Sequence, residues 1–244
     1  MASILIGTSG WVYDSWRGKF YPRDLPPAKQ LDFYSHEFKT VEINSSYYRL
    51  PSVETYKAWA SHVPEQFVFA VKASRFLTHM KKLKDANDPW KRIMTGARKL
   101  KSHLGPVLLQ FPMQWNLNYD RLAEFLDLIA SKRSKQPRLV FEFRNESWFT
   151  KDVFKLLEDH HAAFCIADSY RFSRKDVATT DLAYYRFHGR TDYFPNYSQA
   201  ELKKEVPAMK AFVDQGIDVF VYFNNDAGGH AIENARTLSR LVRD

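Results

Sequence analysis

Four side chains suited to proton transfer, Glu42, Glu142, Asp168 and His188, stand at the ends of short runs rich in β-branched and aromatic residues. Arg144 lies two positions from Glu142, and Arg186 two positions from His188. Two residues is the side-chain period of a strand, so each pair shares one face. Carboxylates beside guanidiniums stay ionised and an imidazole titrates near neutrality, a set that fits general acid–base catalysis. Glu42, Glu142, Asp168 and His188 are therefore the candidate catalytic residues. Arg144 and Arg186 offer planar forks matched to carboxylate or phosphate, and Lys72 offers a point charge. Asn44, Asn224 and Asn225 add amide groups, while Trp11, Tyr47 and Trp148 add rings that stack on a sugar or a base. The set describes a site for a small anionic or sugar-like ligand.

A metal centre is the competing chemistry. Its ligands would be Glu142, Asp168, His188 and Asp226, oxygen and imidazole donors from neighbouring strand ends. Arg144 and Arg186 in the same space would repel a cation, and no HExxH or paired-cysteine spacing occurs, so a metal-free acid–base pair is preferred. No dinucleotide or haem motif is present either, which leaves the cofactor open. The plainest alternative is structural: buried charges are costly unless paired, and Glu42, Glu142, Arg144 and Arg186 would pair across a core whether or not anything binds.

These residues need strands to bring them together. Eight segments have strand character: 3–6, 41–44, 67–72, 107–111, 139–144, 163–168, 183–188 and 219–224. Helical patterns lie between them at 28–38, 53–62, 90–104, 119–133, 151–161, 199–215 and 232–242, with Pro89, Asn118, Thr150 and Ser198 as start signals and Gly105 and Gly216 as stops. Residues 170–181 are too short and polar for a full helix, so the sixth helix is expected to be irregular. Alternating strands and helices over 244 residues predict an α/β fold, an eight-stranded parallel TIM-type barrel, as a single domain over 1–244. Function in such barrels sits at the C-terminal strand ends. The two-residue period assigns Glu42, Asn44, Lys72, Gln110, Glu142, Arg144, Ile166, Asp168, Arg186, His188, Tyr222 and Asn224 to the interior face.

The formal charge is +8, and all of this excess falls between residues 72 and 101. That stretch holds Lys72, Arg75, Lys81, Lys82, Lys84, Lys91, Arg92, Arg98, Lys99 and Lys101 against Asp85 and Asp88. Such a patch would draw nucleic acid or another polyanion, which makes a nucleic-acid-binding or processing protein the alternative function. The simpler reading is a solvated helix face, because Trp90, Ile93, Met94, Ala97, Leu100 and Leu104 repeat at helical spacing and turn the cations outward. No apolar run approaches the ~20 residues of a membrane span, and the first residues lack a basic signal-peptide region. Cys165, the single cysteine, lies in an apolar run and is expected to be a buried thiol, which fits a reducing cytoplasm.

Five segments also carry a resemblance. GTSGWVYDSWRGKFYP, VEINSSYYRLPS, FEFRNESWF, YYRFHGR and VYFNNDAGGHAIENA, in that order across residues 7–235, resemble the YecE-like family, domain of unknown function seventy-two. The resemblance implies a TIM-type barrel and names no activity. Members have been likened to endonuclease IV-type and sugar-isomerase-type barrels, but this sequence lacks the histidine-rich set of a three-zinc nuclease centre. The resulting expectation is an enzyme, of hydrolase or isomerase/lyase type, acting on a small anionic or sugar-like substrate.

Overall fold

A computed structural model describes residues 2–132, 136–191 and 196–243. All eight expected strands form: β1 Ile4–Thr8, β2 Thr40–Ile43, β3 Val68–Lys72, β4 Leu104–Gln110, β5 Leu139–Glu142, β6 Ala162–Asp168, β7 Leu182–Phe187 and β8 Asp218–Phe223. They are parallel and lie in one sheet in the order β1-β8-β7-β6-β5-β4-β3-β2. The helices are α1 Gln30–Glu37, α2 Ser45–Tyr48, α3 Val53–Ser61, α4 Asn87–Ala97, α5 Tyr119–Ala130, α6 Lys151–Asp159, α7 Gln199–Asp214 and α8 His230–Arg243. The result is a nearly closed α/β barrel of TIM type.

Closure comes where β1 meets β2. One bridge, Ser9 opposite Glu42, and the hydrogen bond from Gly10 N–H to the Glu42 carbonyl (2.8 Å) join the two strand ends. Lower in the seam the Tyr34 hydroxyl accepts from Thr8 N–H at 2.9 Å and donates to the Thr40 carbonyl at 3.2 Å, replacing a missing ladder bond. The approach requires Gly7, because a Cβ there would stand 2.2 Å from the Thr40 carbonyl oxygen.

The start signals act as caps. Asn118, Thr150 and Ser198 accept backbone N–H bonds at the starts of α5, α6 and α7, and Ser198 forms a reciprocal capping box with Glu201. Pro89 lies inside the first turn of α4, and Gly216 follows α7 with φ of 80°. The predicted helix 90–104 is divided: α4 ends at Ala97, and a 3₁₀ segment follows, in which Lys101 takes φ of 55°. Gly105 is not a helix stop but part of β4, where a Cβ would meet Val68 Cγ1 at 2.4 Å. The predicted end of the fourth helix at Arg133 lies outside the described residues. No helix forms between β6 and β7, as the short polar interval implied. Among the described residues no helix is long and apolar enough to cross a membrane.

Side chains divide between two apolar clusters, one on each face of the sheet. Ala70, Leu108, Val140, Ala163, Cys165, Ala167, Leu182, Tyr184, Phe220 and Tyr222 pack inside the barrel. Val41, Ile43, Phe69, Phe141, Phe164, Ile166, Tyr185, Phe187, Val221 and Phe223 belong to the layer beneath the helices. This corrects the register of β6: Ile166 and Asp168 face the helices, and Ala163, Cys165 and Ala167 face inward. Inside, Tyr184, Arg186 and Tyr222 from β7 and β8 fill the space, leaving room on β6 for small side chains only. Cys165 is buried as expected, and burial pushes its thiol well above the usual range.

Candidate active site

The C-terminal mouth of the barrel holds a charged cluster built from four strands. Glu42 leaves β2, Lys72 ends β3, Glu142 ends β5 with Arg144 just beyond, and β7 supplies Arg186 with His188 just beyond. Arg186 is fully buried and spans both carboxylates. Its Nε and Nη2 donate to Glu42 at 3.0 and 2.8 Å, and Nη1 donates to Glu142 Oε2 at 2.5 Å. Of its remaining N–H groups, one on Nη2 faces Ser9 Oγ (3.4 Å) and one on Nη1 lies 3.3 Å from His188 Nε2. Glu42 accepts further from Tyr184 and Ser9, each at 2.7 Å. Burial would raise both carboxyl groups. The cations outweigh it, Arg186 foremost, and hold Glu42 below and Glu142 well below the usual range.

Above this layer the groups are less completely paired. Arg144 Nε donates to the second Glu142 oxygen at 2.7 Å, its guanidinium lies 5.0 Å over the Phe172 ring, and its side chain keeps 25% exposure. Among the described residues its Nη groups have no hydrogen-bond partner. They adjoin a groove of about 590 Å³ lined by Met113, Asn145, Glu146, Tyr170, Arg171, Phe172 and Ser173. His188 has Nε2 3.6 Å from Glu142 and Nδ1 3.1 Å from the Asn224 amide. Burial and the Arg186 charge lower its pKa to about 4, so the ring is neutral at pH 7. Lys72 lies 4.3 Å from the centroid of the Tyr47 ring, and Tyr47 Oη is 3.1 Å from His79 Nε2. Burial, then Arg186, lowers Lys72 to about 7; burial, then Lys72, lowers His79 to about 4.

The predicted residues divide into two groups. Glu42, Glu142, His188, Lys72, Arg144, Arg186, Tyr47 and Asn224 meet in the mouth. Asp168 does not: consistent with its helix-side register, it accepts from the Tyr197 hydroxyl (2.6 Å) and lies near Arg174 and Arg190 (3.4 and 3.5 Å). Trp148 is buried in the helix layer, stacked on Phe143 at 4.2 Å and donating to the Trp115 carbonyl. Asn225 is buried and donates to Asn234, which clamps the backbone of Tyr197. Trp11 packs edge-on against Trp59 and lines a separate apolar cavity of about 520 Å³ that reaches Asn44. The conditional metal set does not converge either: Glu142 and His188 are neighbours, but Asp168 faces outward and Asp226 accepts from the Trp16 indole. Burial raises the Asp226 pKa to about 6.

Sequence reasoning missed Ser9, Tyr184, Phe172 and His79. Tyr184 shares the parity of Arg186 and was legible by the two-residue period. His79 lies in a single π-helical turn, Phe76–Met80, whose geometry no spacing announces. In the basic stretch, Lys72 points into the barrel and Lys81 pairs with Asp85 at 3.1 Å. Helix α4 buries Trp90, Ile93, Met94 and Ala97 and turns Lys91 and Arg92 to solvent, as the solvated-face reading expected. Of the exposed large apolar side chains, Val12, Tyr48, Phe76, Met80, Met113, Leu117 and Tyr170 lie in the stretches that follow strands, and Tyr119 opens α5.

Comparison with known proteins agrees with this architecture. The family model described as "Protein of unknown function DUF72" matches residues 5–244. The UPF0759 protein YunF of Bacillus subtilis is 27% identical over 273 residues, covering 98% of this chain and 94% of that protein. A crystal structure of a DUF72 family protein from Thermotoga maritima is similar with a TM-score of 0.88 and 28% identity, covering 99% of this chain and all of that one. A DUF72 family protein from Enterococcus faecalis shares the fold at 20% identity and a TM-score of 0.83, over 99% of this chain and 96% of that one.

Proposed function

The chain belongs to the DUF72 family, and from the geometry of its mouth we propose that it is an enzyme acting on a small anionic, sugar-like substrate by proton transfer. The observation that carries this reading is unused donor capacity. Glu42 and Glu142 are met by the guanidiniums of Arg144 and Arg186, while among the described residues the Arg144 Nη groups have no hydrogen-bond partner and no ion pair reaches the partly protonated Lys72. A substrate carboxylate or phosphate would take up these donors, with Arg144 as its anchor because its guanidinium, unlike that of the fully buried Arg186, opens onto a groove.

The glutamates take a different part here from the one their residue type suggests. Ionised, fully buried and saturated with donors, Glu42 and Glu142 orient Arg186 and Arg144. Proton transfer falls to Lys72, His188 and His79, whose pKa values of about 7, 4 and 4 leave them neutral or partly so at pH 7. A screen of sugar phosphates and small carboxylates by thermal shift tests the reading. Expected is a rise of several degrees with wild type, lost in Arg144→Ala. No shift with any anion would refute it.

Nucleic acid remains a second reading on one observation: exposed Arg75 lies close enough to Tyr47 for its charge to be felt there, so the basic stretch reaches the mouth. It predicts oligonucleotide binding that collapses with salt and weakens when Lys81, Lys82 and Lys84 are neutralised together.

A further inference from the structure

Lys72 differs from the other cations in the mouth. Arg144 and Arg186 each hold a carboxylate, whereas among the described residues no ion pair or hydrogen bond reaches Lys72 Nζ. The residue is 8% exposed, and its amine rests over the Tyr47 ring. A protonated amine so placed has given up most of its hydration without gaining an anion. Two guanidiniums nearby add repulsion, and the neutral amine is correspondingly favoured. A lysine that served only as a fixed positive charge would be better placed against Glu42 or Glu142, which instead face the arginines.

Beside the amine stand two groups able to pass protons. The Tyr47 hydroxyl and the His79 imidazole are 3.1 Å apart, with Thr78 Oγ1 at 2.9 Å from the far ring nitrogen and Gln110 Nε2 at 3.3 Å from the near one. Burial and the Lys72 charge keep the imidazole neutral and weakly basic, so it can relay a proton between neighbours without retaining it.

We propose that Lys72 is a nucleophile that forms an imine with a carbonyl group of the substrate, which makes the ligand a small aldehyde or ketone bearing a carboxylate or phosphate. This rests on the enzyme reading of the mouth. The Nζ lone pair forms a bond to the carbonyl carbon while the C=O π pair moves to oxygen. A proton passes from nitrogen to that oxygen by way of Tyr47 and His79, giving a carbinolamine. The oxygen then takes a second proton, supplied by solvent, the C–O bond breaks to release water, and the nitrogen lone pair closes the C=N bond, so the iminium carries the one positive charge taken up. No oxidant or reductant is consumed. The resulting iminium draws electrons from the adjacent carbon, which favours proton removal or carbon–carbon cleavage there. Arg144 fixes the anionic end.

Reductive trapping tests this on the full chain. Formaldehyde with cyanoborohydride at pH 7 needs no recognition, and peptide mapping ranks the lysines by rate. Lys72 is expected to be modified roughly tenfold or more ahead of surface lysines, because its free-base fraction is far larger. Lysine labelling with Lys72 no faster than the surface set overturns the nucleophile. Glyoxylate with cyanoborohydride then probes the anionic carbonyl: expected is one adduct per chain on Lys72, none in Lys72→Arg, and in Arg144→Ala a glyoxylate rate that falls several-fold more than the formaldehyde rate, which drops only as far as the slightly raised Lys72 pKa requires. Equal glyoxylate labelling of wild type and Arg144→Ala overturns the anionic-carbonyl assignment. Thermal shifts with non-carbonyl anions need no reactive amine, so failure of the enzyme reading is seen separately from failure of the imine.

Discussion

The two layers of the mouth use the same residue types to opposite ends. In the lower layer, Arg186 divides its bonds between Glu42 and Glu142, Glu42 accepts further from Tyr184 and Ser9, and all five residues are closed to solvent. In the upper layer, Lys72 has an aromatic ring in place of an anion, Arg144 has unused Nη groups, and two neutral imidazoles stand beside them. A saturated network contributes rigidity and offers nothing to a ligand, whereas an unsaturated one carries a cost in the empty protein that a ligand removes. On the proposed function, the difference assigns stability to the lower layer and binding to the upper, about one strand residue pair apart.

The largest effect that would break this comparison is in the lower layer. Arg186→Met leaves Glu42 and Glu142 buried without their shared counterion, and the expected loss is about 3–5 kcal/mol of unfolding free energy by urea denaturation. Adding Glu42→Gln and Glu142→Gln to that variant should restore a large part, since the uncompensated charges are then gone. A single Arg186→Met that unfolds like wild type would mean the lower layer is hydrated and belongs to the ligand site.

How this division related to sequence can be seen residue by residue. The eight strands, and the convergence of Glu42, Glu142, Arg144 and Arg186, followed from a period of two, because bulky apolar residues on alternate positions left one face for charges. The same period failed on β6, where Ala163, Cys165 and Ala167 are apolar on one face and Phe164 and Ile166 on the other. Only size separates those faces, and size decides once Tyr184 and Arg186 occupy the interior. Trp148 was indistinguishable from a ligand-facing aromatic, because its partner Trp115 is 33 residues away in sequence. The division of the cluster into saturated and unsaturated layers was not legible at all, since it depends on which of three cations meets which of two carboxylates.

A smaller and opposite effect is expected at Lys72. Its pKa falls from 10.5 to about 7 on folding, so between those values the unfolded chain binds more protons than the folded one. Stability therefore rises with pH across that window, and the cost of Lys72 is fully present below it. Lys72→Met should stabilise the protein by about 1–2 kcal/mol at pH 7, with the gain shrinking towards pH 10. His79 and His188 act in the acid range: each is held at about 4 against 6.5 unfolded, so stability is expected to fall as pH drops from 6.5 towards 4. A Lys72→Met gain that is independent of pH would place the lysine's cost in packing instead of charge.

The smallest stability effect belongs to the residue with the largest expected effect on binding. Arg144 pairs with Glu142 through one Nε bond, but Glu142 keeps Arg186 at 2.5 Å when that bond is lost. The Arg144 side chain is a quarter exposed, so water replaces much of what the guanidinium provided. Arg144→Ala should cost less than about 1 kcal/mol in urea unfolding and leave the pH dependence between 7 and 10 in place, with the Lys72 window moved slightly upward because one repelling charge is gone. The same variant should lose the anion-induced thermal shift entirely. Loss of several kcal/mol of stability together with the thermal shift would show that Arg144 belongs with Arg186 in the saturated layer, and that the mouth holds one network and not two.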